Sequence, residues 1–376
     1  MSETAVSPQT EQEKITQRQA ELKEKLANGA YPSLATRFLD LSEKLTQKVT
    51  RNPSPLPVWY KGTVYTLLVW LLALFILVVF PPHTIPAADI FLAGITIMLV
   101  TSVGVILTHE MHELLLKTLR YTVVDKIATI DDLEDLDKWL FRVLNVRKQL
   151  FFSFIIALFV VPPANFLWNQ IRGGATLDTM LVGFIIVMQG SLGIYVFAAV
   201  FMAPGQLLRY QFNIYSLDPA SSELIQRLSG ALNRTMFVLA VLLAIITYWL
   251  FSFTLLADNV AIFLVLFAWV VIILVFINGH YSLATIIRRV KWKKLNALQN
   301  QITAVEVDGD LTSKATTDAL KNLMDYHDRI RDTRNSAFDV RSGLGFVNSA
   351  LLPLLAFILA NITDVIGFFS RLFGGP

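Results

Sequence analysis

The sequence predicts an all-α polytopic membrane protein: six transmembrane helices in three hairpins, a helical cytoplasmic layer and a membrane-associated C-terminal segment. Three observations predict it. The chain is 54% hydrophobic, its mean hydropathy is +0.55 and only 16% of its residues are charged, against about a quarter in a soluble domain. The charges gather in blocks between long uncharged runs. Lys and Arg fall almost wholly on alternate links, the asymmetry that membrane insertion imposes.

Residues 1–58 form a cytoplasmic N-terminal region whose Ser/Thr/Gln/Glu-rich start is too polar to fold alone. A charged helix is expected from Gln12 to Leu26. A second, from Ser33 to Val49, places Leu34, Phe38, Leu41 and Leu45 on one face. The prolines of RNPSPLP (51–57) end it. With so polar a start, no cleavable signal peptide is expected.

Residues 59–287 hold the six spans, at about 63–80, 90–108, 150–168, 180–202, 235–257 and 260–279, each near the ~20 residues that cross a bilayer. Short links (PPHTIPAAD, NQIRGGATLD and DN at 258–259) join them in pairs. Residues 1–62, 109–149, 204–234 and 280–343 carry nine, seven, three and eleven Lys and Arg, while the within-pair links carry only Arg172. The N-terminus and the long loops are therefore expected in the cytoplasm, and the membrane would be the plasma (inner) membrane in a prokaryote.

The long loops are patterned as amphipathic helices. Leu133, Leu136, Leu140 and Val143 share a face in one, and Leu224, Ile225, Leu228 and Leu232 in another, with Asp218 as its expected N-cap and Pro219 in its first turn. Residues 288–343 read as a cytoplasmic helical hairpin that begins with the basic run Arg288–Lys294, a candidate site for anionic lipid headgroups. Amphipathic helix followed by membrane hairpin recurs three times, in hydropathy only. Residues 344–376 form an apolar C-terminal segment, re-entrant, surface-lying or a seventh span, interrupted by Pro353 and Asp364. Pro162 and Pro163 are expected to kink or end the third span. Trp59, Tyr60, Trp168 and Trp292 fit interfacial anchoring.

All 32 Lys and Arg and all 29 Asp and Glu fall outside the spans. Buried ionisable groups mark proton and ion relays, so a proton-coupled pump is disfavoured. The absence of cysteine removes thiol, disulfide and iron–sulfur chemistry. A net charge of +3 gives no basic field for nucleic acid.

Two features remain. In HEMHE at the end of the second span, His109, Glu110, His112 and Glu113 lie at helical spacing. With His280, expected at the same depth, they form a candidate zinc site of nitrogen and oxygen ligands. The pattern departs from the protease motif H-E-x-x-H, because Glu113 stands where its second histidine belongs. The plainer expectation is a helix end whose four side chains meet water at the headgroups. The second feature is a pair of small and polar stripes, Gly94, Thr101, Gly104 and Thr108 in the second span and Gln189, Gly190, Ser191 and Gly193 in the fourth. Such residues let helices pack closely in lipid or line a pore. The reading that follows is a passive, channel-like conduit or an oligomeric membrane assembly, with the lipid bilayer and other copies of the chain as partners. A non-conducting scaffold or signalling protein is the alternative, and a membrane metalloenzyme a third.

Overall fold

In the computed structural model, residues 8–51, 53–79, 87–172, 177–214, 217–252, 258–308 and 313–336 are described, with short helical pieces at 354–355 and 357–358 and the positions Ile366 and Ser370. Among them the fold is all-helical: α1 (Pro8–Ala27), α2 (Leu34–Thr50), α3 (Val58–Val79), α4 (Ala87–Thr118), α5 (Ile130–Val143), α6 (Val146–Arg172), α7 (Leu177–Leu207), α8 (Glu223–Ser252), α9 (Asp258–Asp308) and α10 (Lys314–Arg331). A π-helical turn, Leu119–Val123, and a 3-10 turn, Val124–Lys126, carry α4 toward α5.

Among the described residues five helices are long and apolar enough to cross a membrane: α3, α6, α7, α8 and α9. The expected second span, 90–108, lies within α4, and most of its side chains before Thr101 fall outside the described residues, as do parts of the links that would turn each hairpin. Most of the C-terminal segment does too, although Leu354 and Phe357 pack against the main core.

Helix α7 is central and touches α3, α4, α6, α8 and α9. The apolar windows of α3 and α6 are only 17% and 22% buried, whereas those of α7, α8 and α9 are 44–50% buried. The first two helices are therefore peripheral, and their large exposed side chains, Leu71, Phe75, Phe151 and Phe159, face outward.

The largest core extends from Leu243 of α8 and Val265 and Trp269 of α9 to the polar ends of the helices. There α1, the end of α4, α5, the end of α7 and the starts of α8 meet around Leu119, Val123 and Val124, none of which is exposed. The stripes expected on the loop helices face this core, since Leu133, Leu136, Leu140, Leu224 and Ile225 are fully buried and Leu228 and Leu232 nearly so. Helix α5 starts at Thr129, whose hydroxyl accepts the Asp132 N–H. Its carboxylates then fix the end of α7: Asp135 accepts from Gln206 and Tyr210, and Asp132 accepts the Gln211 N–H.

Three local expectations are corrected. Asp218 does not cap a long helix; it precedes a single 3-10 turn, Pro219–Ser221, and α8 begins at Glu223 and runs unbroken through the apolar stretch expected as the fifth span, to Ser252. Pro162 and Pro163 do not end the third span, because α6 continues through both to Arg172. Helix α2 buries Leu34, Ala35, Leu39 and Ser42, not a face running through Leu41 and Leu45, which stay 52% and 41% exposed. Small residues at 35 and 42 allow the close approach to α3 and α4, turning the larger leucines outward.

Candidate functional site

The two small-residue stripes meet each other. A Cβ added at Gly193 would stand 3.1 Å from the Thr108 hydroxyl oxygen, so α7 and α4 touch there. The buried Thr108 hydroxyl donates to the Gly104 carbonyl at 2.7 Å, and Ser191 to the Met188 carbonyl at 2.7 Å. Both hydroxyls are thus satisfied within their own helices, as hydroxyls in apolar surroundings are. Gly104 and Gly190 differ from Gly193, for an added Cβ at either meets nothing within 4 Å. The Gln189 side-chain oxygen is buried without a hydrogen-bond partner. Thr101 is half-buried on α4, and the surroundings of Gly94 lie outside the described residues.

The HEMHE cluster is not a solvated helix end. His112 is 1% exposed, and its Nε2 lies 2.9 Å from the Tyr31 carbonyl oxygen. A carbonyl only accepts, so Nε2 carries the proton and donates. Nδ1 is then the bare nitrogen, buried with no partner. One turn back, His109 Nδ1 shares a 3.1 Å hydrogen bond with the Thr36 hydroxyl. Burial lowers both imidazoles below their ordinary value, His112 to about 4. Glu113 instead faces Lys117, 3.7 Å away at i,i+4, and Glu110 is half-exposed. His280 belongs to a different contact, with the Asn233 side-chain oxygen at 3.2 Å and the Phe276 ring at 4.4 Å. Among the described residues no three His, Asp or Glu gather in a form that could hold a metal ion.

What His109 and His112 grip is the N-terminal segment. Gly29, in the left-handed region at φ +67°, turns the chain out of α1. Ser33 then caps α2 by accepting the Thr36 N–H, and the Leu34 N–H donates to Gln149 Oε1 of α6 at 2.8 Å. The other side of the segment is fastened to α5. Asp137 accepts from the Tyr31 hydroxyl, from Lys25 at 2.6 Å and from Arg18 at 3.2 Å. Burial pushes the Asp137 carboxyl up, but the Lys25 and Tyr31 hydrogen bonds and the Lys25 and Arg18 charges together hold it below the usual range. Burial, and then the bond to Asp137, raise the Tyr31 phenol.

The basic run Arg288–Lys294 is divided. Arg289 donates to the Leu208 carbonyl, and Lys291 is buried, donating to the Arg331 and Thr333 carbonyls and Asn335 Oδ1 at 2.7–2.8 Å. This clip closes α10 onto α9, beside Leu295, Leu298 and Ile330. Arg288, Trp292 and Lys293 remain exposed.

No sequence pattern pointed to Tyr31, Asp137 or Gln149, and the basic run suggested a different role for Lys291, because each acts on a partner 40 to 115 residues away. No protein-family model, curated protein or solved structure matches the chain.

Proposed function

We propose that the protein is a membrane scaffold subunit: six spans in three hairpins, with the N-terminus and the long loops cytoplasmic, carrying a folded helical layer and assembling with further copies. The observation that supports this reading is the Gly193–Thr108 contact, at which the two candidate pore stripes meet. Continuity supports it as well, since α4, α7, α8 and α9 contribute side chains to one core that reaches their polar ends. A folded layer held this way presents a fixed surface rather than a tethered one. No transition or proton chemistry is required of the spans.

The conduit reading is favoured by one observation of its own. Gly104 and Gly190 leave open space, with the unpartnered Gln189 oxygen next to Gly190 in sequence. Gly190 is exposed on the outside of the single chain, so such a path would run between copies.

Reconstitution separates the two. Purified protein in planar bilayers, with its copy number measured by native mass spectrometry, is expected to form oligomers without conductance. Unitary currents that scale with protein and vanish in Gly190→Leu would overturn the scaffold reading. Thiol labelling of Lys138→Cys in intact cells tests orientation, and reaction with an impermeant reagent from outside contradicts it.

A further inference from the structure

Helix α2 has three sectors. Ala35 and Leu39 pack with Tyr65 of α3 and Val105 of α4, and Ser42 is buried on the same helix. Next to them an apolar ridge, Leu41, Leu45 and Val49, is 52%, 41% and 83% exposed. Beyond the ridge lie Arg37, Lys44, Lys48 and Arg51, all exposed, with Asp40 the one exposed acid among them. At 100° per residue the ridge fills a sector of roughly 80°, and Arg37, Lys44 and Lys48 occupy roughly the 40° next to it, while Arg51 stands at the helix C-cap. The remaining acid of α2, Glu43, is committed to Lys61 at 2.6 Å and to the Leu56 N–H.

The depth of this helix is marked by α3. Phe38 stacks on Tyr65 with ring centroids 5.0 Å apart, and Glu43 pairs with Lys61, so α2 lies along the first two turns of α3. Trp59, 64% exposed, stands at the same level, and exposed aromatics at the start of an apolar helix mark the headgroup region. Past Tyr65, the exposed Leu67, Leu68 and Leu71 continue the apolar surface along α3.

We infer that α2 is an interfacial lipid-binding helix, whose Leu41–Leu45–Val49 ridge enters the acyl boundary while Arg37, Lys44, Lys48 and Arg51 hold anionic lipid headgroups. The inference rests on the membrane placement of α3 proposed above. Lipid fits better than a second copy of the same face, since two such faces would bring like charges together. A basic row beside an apolar ridge is the composition of helices lying in a bilayer surface. The clasp on the N-terminal segment holds α2 in this position, through Thr36 to His109 and Leu34 to Gln149.

The chain has no native cysteine, so single-cysteine variants of the full-length protein, Leu45→Cys, Leu71→Cys and Gln12→Cys, can be labelled with bimane in nanodiscs. The discs hold phosphatidylcholine and phosphatidylglycerol at 3:1, with a doxyl quencher on one lipid or the other. Bimane at position 45 is expected to be quenched, and more strongly by doxyl-phosphatidylglycerol, with up to about fivefold enrichment per basic residue. That preference should disappear in Arg37→Gln/Lys44→Gln/Lys48→Gln. Position 71 should be quenched equally by both lipids and position 12 by neither. Quenching at 71 but not at 45 overturns the inference, as does a 45–45 cross-link between copies. Equal quenching at 45 by both lipids overturns its anionic specificity. No quenching at 71 removes the membrane placement itself, and the inference with it.

Discussion

Acid should loosen the N-terminal segment through His112. In the closed segment its Nε2–H donates to the Tyr31 carbonyl and its Nδ1 is buried without a partner. A proton on Nδ1 would place a charge and an unmade hydrogen bond where neither can be solvated, and burial holds the imidazole at about 4 against an ordinary 6.5. The opened segment binds the proton more readily, so closure is fully stable above pH 6.5 and loses stability as pH falls toward 4. At pH 5 the loss amounts to about 2 kcal/mol, or roughly a 30-fold larger opening constant. His109, also lowered by burial and bonded to Thr36, acts in the same direction. Hydrogen exchange of residues 28–36, corrected for the intrinsic pH dependence of amide exchange, measures the effect. Protection should drop between pH 7.5 and 5 in the native chain. His112→Gln, which keeps a donor toward Tyr31 and does not titrate, should lose most of that dependence, and His109→Gln/His112→Gln all of it. An unchanged slope in the double variant refutes the reasoning.

Asp137→Ala leaves the half-buried Tyr31 hydroxyl without its acceptor and should weaken α1 docking by about 2–3 kcal/mol; faster tryptic cleavage after Lys23 and Lys25 reads this out, and an unchanged rate contradicts it. Lys291→Met removes the ammonium from the Arg331, Thr333 and Asn335 oxygens and should open the C-terminal end of α10 by a similar amount, seen as lost amide protection at 328–333. Gly193→Leu should lower the melting temperature in detergent, because its first added carbon already meets Thr108 at 3.1 Å, whereas Gly190→Leu, with nothing within 4 Å, should not. Val105, 6% exposed against Tyr65 and Leu39, should be less tolerant of Ala than the neighbouring Gly104, at a cost of about 2 kcal/mol. Equal melting temperatures within either pair count against the packing described.

Much of the fold was legible because hydropathy and charge act locally. A span needs only a long apolar run, and Leu133–Leu136–Leu140 needs only helical spacing, so both could be read from neighbours in sequence. Contacts between segments left no such trace. HEMHE looked wet because counting residues from Ile90 brings it to the headgroups, and that count knows nothing of a segment from 80 residues earlier folding over it. The face of α2 was misread for the opposite reason. Hydrophobicity named Leu41 and Leu45 as core, while the buried face is Leu34, Ala35, Leu39 and Ser42, in which small residues beside the leucines let helices come close. The basic run at 288–294 had two uses that composition could not tell apart: Lys291 caps α10, and Arg288 and Lys293 remain free to meet a headgroup.

The seam between α4 and α7 bears most directly on function. A water path through one chain needs polar groups that turn away from their own helices toward a shared void. Thr108 and Ser191 do the reverse, each bonding a carbonyl of its own helix, and Gly193 fits against the Thr108 hydroxyl. These residues bring helices together. Polar groups that do reach between segments begin one turn further along α4, where His112, with Gln149, Asp135 and Asp137, ties the N-terminal segment and α5 to α4, α6 and α7. Among the described residues, many of the long-range side-chain hydrogen bonds fall in this layer. Acid is therefore expected to act first on the N-terminal segment. The bonds at His109, His112 and Asp137 involve titratable groups, whereas the Gly193–Thr108 contact of the seam does not.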